Sequence, residues 1–285
     1  MSGNNSKLIA FNYFGGKFSH CDSIYPYFPA KFNHLVDVFA GSFAMSINFP
    51  GNVIKTANEI NGEVTNFFEV LRDHTSELVE LLLLTPCSLE EYNKSWFQHP
   101  SDRIENARRY YVRVRQSFYG LGAQRKNKGW LMAKTKVTSK GGEAVSRWNN
   151  SIPKLFEVAE VIRSQFQIIN YDYKVAIEKT DTENTFHYYD PPYPLECRKS
   201  SNDYRFEFTD EQHIELALIA HQTKGFGMIS GYECELLDGL YSDWTKVKLP
   251  KKKNNIRSSE VQEVIWFNYP MSKTAKEASK YRLRL

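Results

Sequence analysis

FHYYDPPYP (186–194) packs one carboxylate, three prolines and three tyrosines into nine residues. Prolines cannot donate to a sheet ladder and tend to end strands. An apolar run therefore stops at Asp190, and Pro191-Pro192 then lock the backbone. A surface turn explains the prolines but not the aromatic residues on both sides. Read outward, the approach TFHYYD (185–190) is a buried strand, and the same signal recurs in LVDVFAG (35–41), VIKTANEI (53–60), FQIINYD (166–172) and GFGMISGY (225–232). Helical periodicity fills the intervals. It covers 61–84, with Val64, Phe67, Phe68, Leu71, Leu78, Leu81 and Leu82 as the apolar set, then 154–164, 209–222 and 233–240. The third of these opens on the cap-like Thr209-Asp210-Glu211. WTKVKL (244–249) and VQEVIWFNY (261–269) predict a final antiparallel hairpin joined by the basic loop KKKNNIRSS. Alternating strands and helices predict an α/β fold: a Rossmann-like, mostly parallel sheet covered on both faces, with a C-terminal antiparallel hairpin.

The region 86–153 breaks this rhythm. It holds an Arg-rich helix over about 101–118, followed by a stretch rich in Gly, Lys and Asn, and it reads as an inserted, mainly helical subdomain. Charge separates it from the rest of the chain. Between Arg103 and Lys154 there are 13 Lys/Arg against 2 Asp/Glu, whereas the remainder carries 24 basic and 31 acidic residues. A basic insert on a mildly acidic body points to a polyanionic partner, most often nucleic acid. A solvated helix face is the other reading of the same charges. Residues 271–285 form a basic tail. Apolar content of 41% and charged content of 25% describe a globular chain, not a disordered one. No window approaches a membrane span or a secretory leader, so the expected location is cytoplasmic, with the four cysteines reduced. Nothing in the sequence points to a metal or to an obligate protein partner.

In open parallel sheets ligands bind beyond the carboxyl ends of the strands. Those ends here are Asp37 to Ser42, Glu59, Asp172, Asp190 and Ser230-Gly231. Several carboxylates on one rim suit hydroxyl, amino or cationic groups. DVFAGSFAM (37–45) places a Gly-containing turn where backbone passes close to a ligand, and Glu59 follows Gly41 at a spacing suited to a ribose diol. FNYFGGK (11–17) lacks the glycine spacing and the following Ser/Thr of a nucleoside-triphosphate loop. At Asp190-Pro191-Pro192-Tyr193, the carboxylate and the Pro191 carbonyl can accept both protons of one exocyclic amino group. The prolines stiffen that pair of acceptors, and Tyr193 offers a ring for a purine to stack on.

Taken in order, YFGGK (13–17), DVFAGS (37–42), ANEIN (57–61), NYDY (170–173), DPPY (190–193) and ISGY (229–232) resemble the Dam-type, alpha-group adenine-N6 DNA methyltransferases over about residues 11–232. In that group the target-recognition segment lies between the cofactor motifs and DPPY. The resemblance implies S-adenosylmethionine as cofactor, held by a catalytic domain of residues 1–85 and 154–270, with 86–153 recognising double-stranded DNA. It assigns Tyr13, Lys17, Phe39, Gly41, Glu59, Asp172 and Asp190 to the cofactor. Glu59 would take the ribose hydroxyls and Asp172 the adenine amino group, while Asp190, Pro191, Pro192 and Tyr193 would serve a flipped-out target adenine. Arg109, Arg113, Arg115, Arg125, Lys126 and Lys128 are then candidates for phosphate contacts, with Lys251, Lys252 and Arg257 clamping from the other side. Three positions depart from the family pattern: Phe43 replaces the last Gly of FxGxG, Glu59 replaces Asp, and Tyr13 replaces a frequent Trp. DPPY also occurs in some RNA methyltransferases. Methylation of an RNA base amino group, or a catalytically inactive nucleic-acid-binding relative, are therefore the alternative readings.

Overall fold

A computed structural model of the chain describes residues 7–97, 101–118, 122, 129–139, 141–198, 204–253 and 260–272. After the short helix α1 (Cys21–Ile24), strand β1 (His34–Asp37) leads into α2 (Ala44–Ile47). Strand β2 (Ile54–Asn58) leads into α3 (Gly62–Asp73) and α4 (Thr75–Leu84). Next come α5 (Leu89–Lys94), α6 (Arg103–Arg115), a minimal ribbon of β3 (Val137–Thr138) and β4 (Gly141–Gly142), and α7 (Glu143–Ser151). The alternation then resumes through α8 (Leu155–Gln165), β5 (Phe166–Ile169), α9 (Tyr173–Thr180), β6 (Thr185–Tyr189), α10 (Asp210–Gln222), β7 (Phe226–Tyr232) and α11 (Glu235–Leu240). The chain closes with β8 (Thr245–Lys248), a ribbon of β9 (Lys252–Lys253) and β10 (Glu260–Val261), and β11 (Glu263–Phe267).

Among the described residues the main sheet has seven strands, in the order β5-β2-β1-β6-β7-β11-β8. The first five run parallel, and β11 is antiparallel to both β7 and β8. The expected α/β sheet with its terminal hairpin is therefore the observed one. Every residue of β6 and β11 is buried, including the polar Thr185, His187 and Glu263, which is why these strands read as mostly apolar runs. Successive side chains feed opposite faces. Leu35, Phe186 and Ile265 join Ile24 and Phe28 below the sheet, whereas Val36, Tyr189 and Trp266 meet Leu216 and Leu237 above it. From β1 the chain passes to β2 on one side and later to β6 on the other. The crevice at the carboxyl ends of β1 and β6 is thus the switch point where such sheets hold ligands.

Two local expectations change. The helix expected over 61–84 is two helices, because at His74 the backbone leaves the helix (φ −129°, ψ 39°) and the Thr75 hydroxyl donates back to the Leu71 carbonyl at 2.6 Å. The apolar period runs on across the break, and so conceals it. Helix α9 was not anticipated; Asp172 caps it by accepting from the Lys174 N–H at 3.0 Å. Thr209 does cap α10, in a capping box with Gln212.

The helices within 86–153 share the core of the sheet. Ala107, Tyr110, Tyr111, Val112 and Val114 of α6 belong to the same buried cluster as Phe11, Phe67, Phe68 and Leu71. The Tyr111 and Phe67 rings stack at 5.6 Å and 7°. The Trp148 indole of α7 donates to the Thr85 carbonyl at 3.0 Å.

Candidate active site

A cavity of about 250 Å³ opens at the switch point. Its walls come from the N-terminal segment, the ends of β1, β2 and β6, the turn before α9, and residues 204–208. Tyr13, Lys17, Phe39, Gly41, Glu59, Asp172 and Asp190, singled out from sequence for the cofactor, all line it, as do Pro191 and Pro192. Tyr193 does not line it. Asp37, picked out from sequence only as the start of a strand end, and Asn58, given no role there, also line it.

The turn after β1 is built around Gly41 at φ 53°, a left-handed conformation that favours glycine. A Cβ there would lie 2.8 Å from the Tyr13 ring, so the aromatic residue at the motif's start and the glycine specify one another. The Gly41 N–H donates to Glu59 Oε2 and the Asn61 N–H to Oε1, both at 2.8 Å. Glu59 is buried, and burial raises its pKa against the pull of those two N–H groups. Each oxygen keeps a further lone pair for a ligand hydroxyl. Asn58 ties the β2 end to its neighbours: its amide donates to the Val38 and Tyr171 carbonyls, and its oxygen accepts from the Tyr171 N–H.

Phe43 departs from the glycine pattern without departing from the glycine conformation. Its φ of 58° is also left-handed. The ring is fully buried and stacks on Phe68 at 3.9 Å and 12°.

Acidity dominates the cavity. Asp37, Glu59, Asp172, Asp190 and Glu207 line it, and Lys17 is the one Lys or Arg among the lining residues. Burial raises the Asp37 pKa to about 7, against a 2.9 Å hydrogen bond from Ser46, with Asp190 and Glu59 adding to the rise. The lysine is itself engaged: its ammonium donates to both Asp190 oxygens, at 2.7 and 2.9 Å, and to the Gly15 carbonyl at 3.1 Å. Burial opposes the Lys17 charge, but the carboxylates of Asp190 and Glu263 outweigh it and hold its pKa above the ordinary value. A site of this composition suits a cation with hydroxyl and amino groups and repels phosphates. An adenosyl sulfonium has those groups, so the residues present fit the expected cofactor.

Behind Asp190 lies a polar cluster. Ser230 donates to Asp190 Oδ1 at 2.8 Å, within hydrogen-bonding distance of the Tyr188 hydroxyl at 2.9 Å. The Tyr193 ring is buried, with the Lys17 ammonium 4.8 Å from its centroid and Tyr232 against its edge. Its hydroxyl donates to Glu263 Oε2 at 2.6 Å and lies 3.3 Å from Asp190 Oδ1. In this state Tyr193 is not an open stacking platform.

The basic candidates divide. Arg113, expected at a phosphate, is turned inward instead. It is 4% exposed, pairs with Glu63 at 2.8 Å and donates to the Ser95 and Gly122 carbonyls. Glu63 also pairs with Arg205. Arg109 pairs with Glu105 at 2.6 Å and donates to the Phe97 carbonyl. Arg115 is half-buried and touches the Arg147 carbonyl at 3.3 Å. Lys251 is exposed, and Lys252 starts the β9–β10 ribbon. Arg125, Lys126, Lys128 and Arg257 lie outside the described residues. Charge counting could not find Arg113's role, because a helix-facing arginine and a solvent-facing one add the same +1.

The structure also joins residues that the sequence keeps apart. The ligand atoms of Glu196, Cys197 and Cys234 lie within 4.8 Å of one another beside the DPPY turn.

The family model for the D12 class N6 adenine-specific DNA methyltransferases matches residues 13–256. A type II methyltransferase, M1.LlaDCHI of Lactococcus lactis subsp. cremoris, is 26% identical over 283 residues, covering 90% of this chain and 93% of that protein. A second, M.FokI of Planomicrobium okeanokoites, is 30% identical over 105 residues, covering 37% of this chain and 16% of that protein.

Proposed function

Because the chain belongs to the D12 class N6 adenine-specific DNA methyltransferases, we propose that it draws the methyl group from S-adenosylmethionine bound in the switch-point cavity and delivers it to a flipped-out adenine of double-stranded DNA. The supporting observation is that the seven residues read as cofactor contacts line a single cavity with Asp190 on its wall. Tyr13 and Phe39 enclose the cofactor, Glu59 accepts its ribose hydroxyls, and Asp172 accepts its adenine amino group. S-adenosylmethionine supplies an electrophilic methyl group at a sulfonium centre. The chain's own residues supply position and charge.

Asp190 and the Pro191 carbonyl accept the two protons of the adenine amino group, aligning its nitrogen for in-line attack. A carboxylate beside a nitrogen that is becoming positive stabilises the transition state, and the proton leaves after transfer. Lys17 occupies Asp190 in the present state, so the arriving amino group takes over an acceptor already held in place. The same displacement frees the face of Tyr193 for the base. Extrusion from the duplex puts the buried amino group within reach. Similarity to two type II methyltransferases supports reading the enzyme as a site-specific methyltransferase of that kind.

Replacing Asp190 by Ala tests the assignment. Labelled-methyl transfer to adenine-containing duplex should fall by about 100-fold or more, the scale of losing one aligned transition-state acceptor, with S-adenosylmethionine binding still measurable by calorimetry. Near-wild-type transfer by a folded variant would remove DPPY from the reaction.

A further inference from the structure

Two carboxylates, not one, stand at the DPPY turn. Glu263 comes from β11, far along the chain, and the register places it opposite Tyr232 of β7. It is 5% exposed, and its backbone is fixed by the Leu249 N–H donating to its carbonyl at 2.8 Å. Glu263 Oε2 accepts from the Tyr193 hydroxyl at 2.6 Å and lies 4.0 Å from the Lys17 ammonium. The same ammonium sits 2.7 Å from Asp190 Oδ1. One buried cation therefore serves two carboxylates, the partly buried Asp190 at close range and the buried Glu263 just beyond hydrogen-bond range. Tyr193 bridges the pair, with its hydroxyl on Glu263 and 3.3 Å from Asp190.

Resting on the reading of Asp190 given above, we infer that Glu263 is a positioning residue for methyl transfer. It anchors the Tyr193 hydroxyl, and so the turn carrying Asp190. It also receives the Lys17 ammonium when Asp190 turns to the substrate's amino group. The ammonium is displaced onto a second carboxylate already within about 1 Å of hydrogen-bonding distance, not into the low-dielectric interior. Glu263 touches neither the cofactor nor the base, and its effect passes through Tyr193 and Lys17.

The isosteric Glu263→Gln variant separates this role from a structural one. Its amide oxygen still accepts from Tyr193, and the Lys17–Asp190 pair keeps both of its charges. With Gln in place, kcat on duplex DNA should fall about 10–100-fold, the scale of a small misplacement at a reacting centre. The calorimetric Kd for S-adenosylmethionine should stay within about twofold, the midpoint of thermal unfolding should hold or rise, and Glu263→Asp should recover part of kcat. Wild-type kcat for Glu263→Gln, or loss of folding or unfolding temperature in parallel with kcat, overturns the inference. Asp190→Ala, measured alongside, keeps the two readings apart. If it stays active, the assignment of Asp190 fails. If it is inactive while Glu263→Gln is fully active, only the role of Glu263 fails.

Discussion

Phe43 offers a test in which two effects of known sign oppose each other. Restoring the family's glycine by Phe43→Gly removes the left-handed backbone penalty at φ 58°, about 1–2 kcal/mol for a residue with a Cβ. It also deletes a fully buried ring stacked on Phe68 at 3.9 Å, and such deletions cost about 3–5 kcal/mol. The ring wins, by about 1–4 kcal/mol. For 285 residues the unfolding entropy near the midpoint is about 0.6 kcal/mol/K, so Tm should drop by about 2–7 °C. Urea denaturation followed by circular dichroism, and scanning calorimetry, both read this directly. A variant as stable as the parent or more so would refute the reasoning. It would mean that the Phe43–Phe68 stack contributes less than the strain it imposes.

Three further outcomes follow from the same structure. The Asp37 carboxyl keeps its proton up to about pH 7 in the fold and sheds it near 3.8 when unfolded, so folding stability falls as pH rises through that window, by at most about 4 kcal/mol. Asp37→Asn should therefore match the parent near pH 4 and exceed it at pH 8 in denaturant titrations; equal stabilities at both pH values would contradict this. Arg113→Met should cost about 1–3 kcal/mol of stability by leaving the Ser95 and Gly122 carbonyls unpaired and Glu63 with Arg205 alone, while leaving the salt dependence of DNA binding untouched. Neutralising Arg125, Lys126 and Lys128 together should do the reverse, flattening the salt slope by up to about three contacts with little change in Tm.

Much of the catalytic half was legible because its chemistry is local. Each short motif ends a strand, a strand end has a known place in an open sheet, and Gly41, Glu59 and Asp190 each carry a requirement that few other residues meet. What escaped was pairing across distance. Lys17 and Asp190 are 173 positions apart and Tyr193 and Glu263 are 70 apart, and no periodicity reports such contacts. Glu263 read as one polar residue in VQEVIWFNY, and only the register against Tyr232 puts it behind DPPY. Tyr193 read as a ring for a purine to stack on, and its burial was not legible because its neighbours, not its own type, bury it. Arg113 escaped for a related reason: α6 carries arginines on both faces, and tertiary packing decides which one is internal.

The shared core of α6 and the sheet bears on how such an enzyme can change its target sequence. Recognition segments can be exchanged as cassettes where the joints cross little packed surface. A graft cut at 86 and 153 would carry off Tyr110, Tyr111 and Trp148, and with them one wall of the core that supports α3. It would also take Arg113 from Glu63, leaving that carboxylate with Arg205 alone. Variation within 86–153 is therefore expected on the outer face of α6, with its inner face constrained by the core it shares with α3.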